Sequence, residues 1–152
     1  MTDTIAVGTV PVPVARVGRG HLRVFLGATP GSGKTFAMLR EAHDRRSQGE
    51  DIVVGFVETH GRKLTEQAIG SLEVVPRLEV EYHGKLIEEM DLDAVLARHP
   101  QVALVDELAH TNVPGVRHTK RYEDVEELLE AGIDVVTTVN VQHLESVKDL
   151  AE

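Results

Sequence analysis

A glycine-rich segment near the start of the chain contains the residue types, at the spacing, that bind phosphate. It reads GATPGSGKT over residues 27–35, which is A-x-x-x-x-G-K-T from its second residue, where the strict pattern has Gly. Glycines let the backbone turn its N–H groups inward around an anion, and the helix predicted to follow directs its positive dipole end at the same point. The residues expected to contact a nucleotide are Ala28, Gly31, Ser32, Gly33, Lys34 and Thr35.

Two of these side chains predict the ligand. The ammonium of Lys34 can reach the β- and γ-phosphates of a nucleotide, and the hydroxyl of Thr35 can bind Mg²⁺. We therefore expect a site for ATP with Mg²⁺; the alternative is a glycine-rich turn that matches the pattern by chance.

An acidic pair is the expected partner of this loop. Asp106 and Glu107 follow the apolar run 102–105, which predicts a buried strand. At the end of that strand Asp106 could hold Mg²⁺ beside Thr35, and Glu107 could act as the base that orients an attacking water. The alternative is an ordinary strand that ends in two solvated carboxylates.

Three further segments are candidates for the same edge of the sheet, because ligands of open α/β sheets bind at the carboxyl ends of the strands. The strand 133–139 ends in polar residues, and Asn140 could be a sensor of the γ-phosphate, a helix N-cap, or both at once. The loop 58–62 contributes Glu58, His60 and Arg62, and with the loop 108–121 it could respond to the γ-phosphate as a switch. The arginines expected to contact phosphate are Arg62, Arg117 and Arg121, although the last two could simply begin a solvated helix that faces the acidic stretch 123–130.

Strands and helices must alternate along the chain to position these residues. Apolar runs predict buried strands at 23–27, 51–57, 102–105 and 133–139 and an edge strand at 78–82. Helical spacing predicts helices at 35–47 and 64–72, one from the N-cap Asp91 to about residue 99, one that begins near residue 122 and ends at Gly132, and one from 141 onward. This alternation predicts an α/β fold, a P-loop NTPase-like three-layer sandwich with a mainly parallel sheet. An Asp-Glu pair suggests the class in which one strand, here 133–139, is inserted between the phosphate-loop strand and the acidic strand.

Composition excludes several other classes of protein. The 152 residues carry 16 Lys and Arg against 25 Asp and Glu, a net charge of −9, which argues against binding to nucleic acid or to an anionic membrane. The absence of Cys excludes disulfide scaffolds, cysteine zinc sites and thiol catalysis, and the histidines lack a dedicated zinc spacing. No apolar run approaches the length of about 20 residues that a membrane span needs. We expect a flexible tail over 1–20 and a nucleotide-binding sensor domain over 21–152.

Six stretches together resemble the N-terminal cytoplasmic domain of the KdpD family of osmosensitive potassium sensor histidine kinases, and the resemblance runs from about residue 20 to 149. They read GATPGSGKT, GFVETHGR, EMDLDA, LVDELAHTNVPG, RHTKRYEDVEELLEAGIDV and TTVNVQHLES. The resemblance implies an ATP-binding input domain of a bacterial two-component system that controls expression of a potassium pump. It further implies a cytoplasmic location within a protein of the bacterial inner membrane, with the remaining domains of the kinase and, indirectly, its response regulator as partners.

Two other functions stay open at this stage. One is a stand-alone small-molecule kinase or ATPase with Glu107 or Glu58 as the base, and the other is a scaffold that binds nucleotide for stability only. The kinase core of the family is absent from these residues, so we expect no phosphorelay by this chain and at most slow ATP hydrolysis.

Overall fold

The computed structural model describes residues 3–6, 12–14, 20–28 and 33–147. Strands β1 to β9 comprise Asp3–Ala6, Val12–Val14, Leu22–Gly27, Ile52–Phe56, Glu73–Val74, Leu78–Tyr82, Lys85–Glu89, Val102–Val105 and Asp134–Asn140. Helices α1 to α4 comprise Lys34–Ser47, Lys63–Ile69, Leu92–Arg98 and Arg121–Glu130, and a 3₁₀ helix spans Val141–Val147.

The main sheet of the described residues has seven strands in the order β2-β1-β3-β9-β8-β4-β5. All neighbouring strands in it are parallel except β1 and β2. Strand β9 lies between β3 and β8, with Gly27 paired to Asn140 and Val105 paired to Thr137. The predicted insertion of one strand between the glycine-rich loop and the acidic pair is therefore confirmed, and all these strands end at one edge of the sheet.

Helices cover both faces of this sheet because its central strands are apolar on both sides. Successive residues of β8 alternate between two buried clusters. One cluster contains apolar side chains of α3 and α4, such as Val95 and Leu128, and the other contains side chains of α1, such as Met38 and Leu39. The prediction of an α/β fold with a mainly parallel sheet is confirmed.

Two predicted helix ends are also confirmed. The Asp91 carboxylate accepts a hydrogen bond of 3.0 Å from the Ala94 N–H, so Asp91 is the N-cap of α3. Gly132 follows the last turn of α4 with a φ of 90°, a conformation that glycine adopts at low cost.

The structure differs from the sequence prediction at residues 78–82. This segment is not an edge strand of the main sheet; β6 pairs with β7 in a separate antiparallel hairpin that turns at His83 and Gly84. Strand β7 was not predicted, because its sequence KLIEE has neither a clear alternation nor an apolar run. The helix predicted from residue 141 onward is a 3₁₀ helix over the described residues 141–147.

The segment 1–20, predicted to be a flexible tail, contributes two short strands to the sheet, Asp3–Ala6 and Val12–Val14. The remaining residues before Gly20 lie outside the described residues, and the domain boundary stays a prediction. Among the described residues, no helix combines the length and the apolar character that crossing a membrane requires.

Candidate functional site

A cavity of about 470 Å³ opens at the carboxyl edge of the sheet. Its wall includes eight of the residues predicted as site residues: Gly33, Lys34, Thr35, Glu58, His60, Arg62, Glu107 and Asn140. The other described residues of the wall are Phe36, Thr59, Thr65, Ala109, His110, Val139 and His143. Segments far apart in the sequence thus meet at the place that parallel topology predicts for a ligand.

The N-terminus of α1 faces this cavity. Gly33 occupies the N-cap position with a φ of 89°, no side chain of the described residues caps the helix, and no acidic residue stands in its first turn. The first N–H groups of a helix have no partner within the helix, so this end is suited to an anion. Ala28 is exposed just after β3, and Gly31 and Ser32 lie outside the described residues.

Lys34 differs from its expected environment. A lysine in an open glycine-rich loop would be exposed, whereas Lys34 is the first residue of α1 and only 9% exposed. It nevertheless lines the cavity. Lys34 thus combines burial with a position on the cavity wall at the N-terminus of α1.

Thr35 and Asp106 lie together, as the proposed metal site requires. The Thr35 hydroxyl oxygen is 3.2 Å from each carboxylate oxygen of Asp106. Asp106 itself is 1% exposed and accepts hydrogen bonds from the Thr138 hydroxyl and, at 3.1 Å, from the Glu58 N–H. No group of three or more His, Asp or Glu side chains among the described residues is placed to hold a metal ion. A cation here would take hydroxyl and carboxylate oxygens and fill its shell with water and phosphate oxygens, as Mg²⁺ does.

The protonation of Asp106 reflects this burial. Burial raises the pKa of the Asp106 carboxyl above its ordinary value, and the negative charge of Glu107 acts in the same direction. Hydrogen bonds from Thr138, the Glu58 N–H and Thr35 favour the ionised form but do not reverse the shift. A cation beside Thr35 would stabilise the ionised carboxylate by direct attraction, so these residues fit a bound Mg²⁺.

Glu107 is held in an uncommon backbone conformation. Its φ is 57°, in the left-handed region that non-glycine residues rarely adopt, and its N–H donates to the Thr138 hydroxyl at 3.0 Å. The Glu107 carboxylate lines the cavity and is 3.2 Å from His60 Nε2. Strained residues concentrate at functional sites, and Glu107 combines this strain with a position on the cavity wall.

The surroundings of the Asn140 side chain bear on its two predicted roles, a γ-phosphate sensor and a helix N-cap. It directly precedes the 3₁₀ helix, at the position of an N-cap, but its buried side-chain oxygen has no hydrogen-bond partner among the described residues. The capping interpretation is therefore wrong for this side chain. Asn140 is a residue of the cavity wall, and its buried side-chain oxygen is a polar group that the described residues leave unsatisfied.

Two arginines predicted to contact phosphate lie elsewhere. Arg121 is 0% exposed, with its guanidinium carbon 4.1 Å from the centre of the Phe56 ring. Arg117 forms ion pairs with Asp93 at 2.7 Å and with Glu127 at 3.1 Å, on the wall of a second cavity. Spacing alone placed both in a polar loop, whereas packing directs one into the core and the other away from the site.

Sequence reasoning missed a buried carboxylate behind the site. Glu89 is 2% exposed and lies 3.0 Å from Nε2 of His110, a residue of the cavity wall. A single Glu in an unpredicted strand has no spacing signal. It is, however, the first residue of the EMDLDA stretch on which the resemblance rests.

Known proteins provide an independent view of the chain. Residues 18–152 match the family described as "KdpD: Osmosensitive K+ channel His kinase sensor domain". The chain is 62% identical over 132 residues to "Sensor protein KdpD" of Escherichia coli (strain K12), which covers 87% of the chain and 15% of that protein. It is 56% identical over 134 residues to "Sensor protein KdpD" of Mycobacterium tuberculosis (strain ATCC 25618 / H37Rv), with 88% and 16% covered.

A third relative is shorter. "Putative sensor protein KdpD" of Synechocystis sp. (strain ATCC 27184 / PCC 6803 / Kazusa) is 53% identical over 132 residues, which covers 87% of the chain and 36% of that protein. The chain thus spans only 15–16% of the length of the first two relatives. The family match over residues 18–152 covers nearly all of the described residues, including all the described residues that line the cavity. The chain therefore belongs to the KdpD family, and it corresponds to the osmosensitive K⁺ channel His kinase sensor domain of that family.

Proposed function

We propose that this chain is a regulatory input domain that binds ATP with Mg²⁺ at the carboxyl edge of a P-loop NTPase-like sheet. The observation that carries the proposal is the contact of Thr35 with Asp106, 3.2 Å apart, beside the uncapped N-terminus of α1. Lys34 and Asn140 on the same wall support it. When bound, Mg²⁺ would neutralise phosphate charge between the hydroxyl and the carboxylate.

In this proposal, different residues bind the phosphates and the metal. The α1 N-terminus and Lys34 would receive the β- and γ-phosphates, while Thr35 and Asp106 would hold the metal. Arg62 and His60 also line the cavity, and we propose that these basic groups contact the free end of the triphosphate. A ligand that reaches them would order the loop 58–62, which is how the site could distinguish ATP from ADP.

In the longer proteins of the family, we propose, this nucleotide state sets the balance between kinase and phosphatase activity toward a response regulator. The rest of the sensor kinase, in the bacterial inner membrane, would be the partner of the domain. Calorimetric titration of the chain tests the binding step. We expect ATP to bind with Mg²⁺ and to bind more weakly with a chelator, while the absence of any binding would contradict the proposal.

Slow ATP hydrolysis is a second candidate activity, favoured by the strained backbone of Glu107 on the cavity wall. Glu107→Gln keeps the size of the side chain and removes its basicity. We expect nearly unchanged ATP affinity and loss of any hydrolysis, measured as released phosphate. If the variant fails to bind ATP, Glu107 is a ligand or a structural residue, and its role as a base is wrong.

The isolated chain is expected not to phosphorylate itself. His60, His110 and His143 line the cavity. Nε2 of the first two already contacts a carboxylate, Glu107 at 3.2 Å and Glu89 at 3.0 Å, and Nε2 of His143 lies 3.4 Å from Nε2 of Gln142. Incubation with γ-labelled ATP and Mg²⁺ tests this expectation. Acid-labile label on the protein would instead favour a kinase.

A further inference from the structure

A buried ionic cluster lies between the cavity and the β6–β7 hairpin. Its centre is Glu89, the last residue of β7, which is 2% exposed. The carboxylate accepts hydrogen bonds from Arg121 Nη2 at 2.9 Å and from the Val113 N–H at 2.7 Å, and it contacts His110 Nε2 at 3.0 Å. Buried charges are costly unless they are paired in this way, so the cluster holds its members in one arrangement.

Arg121 connects this cluster to the proposed metal site. While Nη2 binds Glu89, Nη1 donates to the backbone oxygen of Asp106 at 3.1 Å. That oxygen belongs to the peptide that joins Asp106 to Glu107, and the N–H of the same peptide donates to the Thr138 hydroxyl. The peptide is thus fixed on both sides, at the point where the chain enters the left-handed conformation of Glu107.

Glu89 also forms the base of the hairpin. It pairs with Leu78 at the end opposite the turn, and within the described residues β6 and β7 pair only with each other. Arg77, which directly precedes β6, makes a second contact at the base of the hairpin. Its guanidinium carbon lies 4.2 Å from the centre of the Phe56 ring, and its Nη2 donates to the Val57 backbone oxygen. Arg121 stacks against the same ring at 4.1 Å. Arg77 therefore connects the base of the hairpin to the end of β4, and Glu89, through Arg121, connects it to the residue that follows β8.

We propose that Glu89 and Arg121 position the Asp106–Glu107 turn and couple the β6–β7 hairpin to the nucleotide state of the cavity. This inference rests on the proposed function, since it concerns regulation of the same site. A ligand that restricts the motion of Asp106 acts on Glu89 through Arg121, and one that restricts His110 acts on Glu89 directly. Because Glu89 is the last residue of β7, either restriction reaches the hairpin. Coupling between two sites is reciprocal, so a change at the base of the hairpin that alters this cluster should also alter nucleotide affinity.

The test uses a double variant, Glu89→Gln with Arg121→Met. Either single change would leave a buried charge without its partner and could unfold the chain, whereas the pair removes both charges and keeps an adaptable side chain against Phe56. Glu81→Gln is the matched control, because it removes the same charge from an exposed position of β6 in the same hairpin.

The first measurement needs no nucleotide. Hydrogen exchange of the backbone amides of residues 106–110 is compared in the wild type, the control and the double variant. We expect about fivefold faster exchange in the double variant alone, with amides of the central strand β9 unchanged. Equal exchange at residues 106–110 in all three proteins would overturn the positioning role, and faster exchange throughout the chain would identify a merely structural one.

The second measurement adds Mg²⁺ and ATP. In the wild type and the control we expect the amides of residues 85–89 to exchange more slowly with nucleotide, and we expect this response to disappear in the double variant, with ATP affinity about fivefold lower. If the wild type binds ATP and the hairpin does not respond, or if the double variant responds fully, only the coupling is refuted. If the wild type binds no ATP, the proposed function fails and the coupling falls with it.

Discussion

Replacing Lys34 by alanine is expected to abolish ATP binding while the chain keeps its fold. Lys34 lines the cavity at the N-terminus of α1. Each charge-assisted contact to phosphate that is lost costs on the order of 1.5–3 kcal/mol, which is about 10- to 150-fold in affinity. Alanine has the highest helix propensity, and loss of the partly packed lysine stem should cost about 1 kcal/mol of stability.

Lys63→Ala is the matched control for this variant. Lys63 is likewise the first residue of a helix, α2, but it is exposed and is not among the described residues of the cavity wall. Calorimetric titration with ATP and Mg²⁺, together with circular dichroism, should separate the two variants. Unchanged ATP affinity in Lys34→Ala would refute the phosphate site.

Asp106→Asn is expected to lower ATP affinity at saturating Mg²⁺ by at least about tenfold, since even an outer-shell partner of a metal commonly contributes 10- to 100-fold. The amide keeps the size of the carboxylate and can still accept from the Glu58 N–H. What it loses is the charge that would attract a cation beside Thr35. The measurement is the ratio of ATP affinities with Mg²⁺ and with a chelator, which should approach one in the variant.

The same substitution should stabilise the metal-free chain at neutral pH. The pKa of Asp106 is raised in the folded state. Between the ordinary pKa and the raised one, the folded state keeps a proton that the unfolded state has released, so wild-type stability falls as pH rises through that window. Above it, Asp106→Asn should be more stable than the wild type by about 0.5–2 kcal/mol, and below it the difference should vanish. Denaturant unfolding with a chelator at several pH values measures this.

Asp124→Asn controls for burial without the metal. Asp124 is also buried, and burial raises its pKa as well, but it lines the second cavity. Its substitution should leave the effect of Mg²⁺ on ATP affinity unchanged. If both variants reduce that effect equally, the loss reflects a general disturbance of the fold, and the assignment of Asp106 to the metal is wrong.

Local sequence determined the order of the elements and the ends of several. The run Val102–Val105 was predicted at its observed bounds, and Asp91 and Gly132 mark helix ends as expected. These features depend on residues close together in the chain: hydrophobic periodicity, a side chain that caps a nearby N–H, and a glycine that accepts positive φ. The parallel alternation of strand and helix then placed the ends of β3, β4, β8 and β9 at one edge.

Tertiary structure alone decided which polar residues face the cavity. The sequence assigned Arg121 to a phosphate, whereas packing buries it against Phe56 and binds it to Glu89. Glu89 stood in no predicted element, and the left-handed turn at Glu107 had no sequence signal. The free energy of a buried charge depends on its partners in the folded state. Arg121 and Glu89 are 32 residues apart in the sequence, and only the fold brings them into contact. Spacing along the chain describes only near neighbours, so it could predict the candidate site but not the ionic cluster behind it.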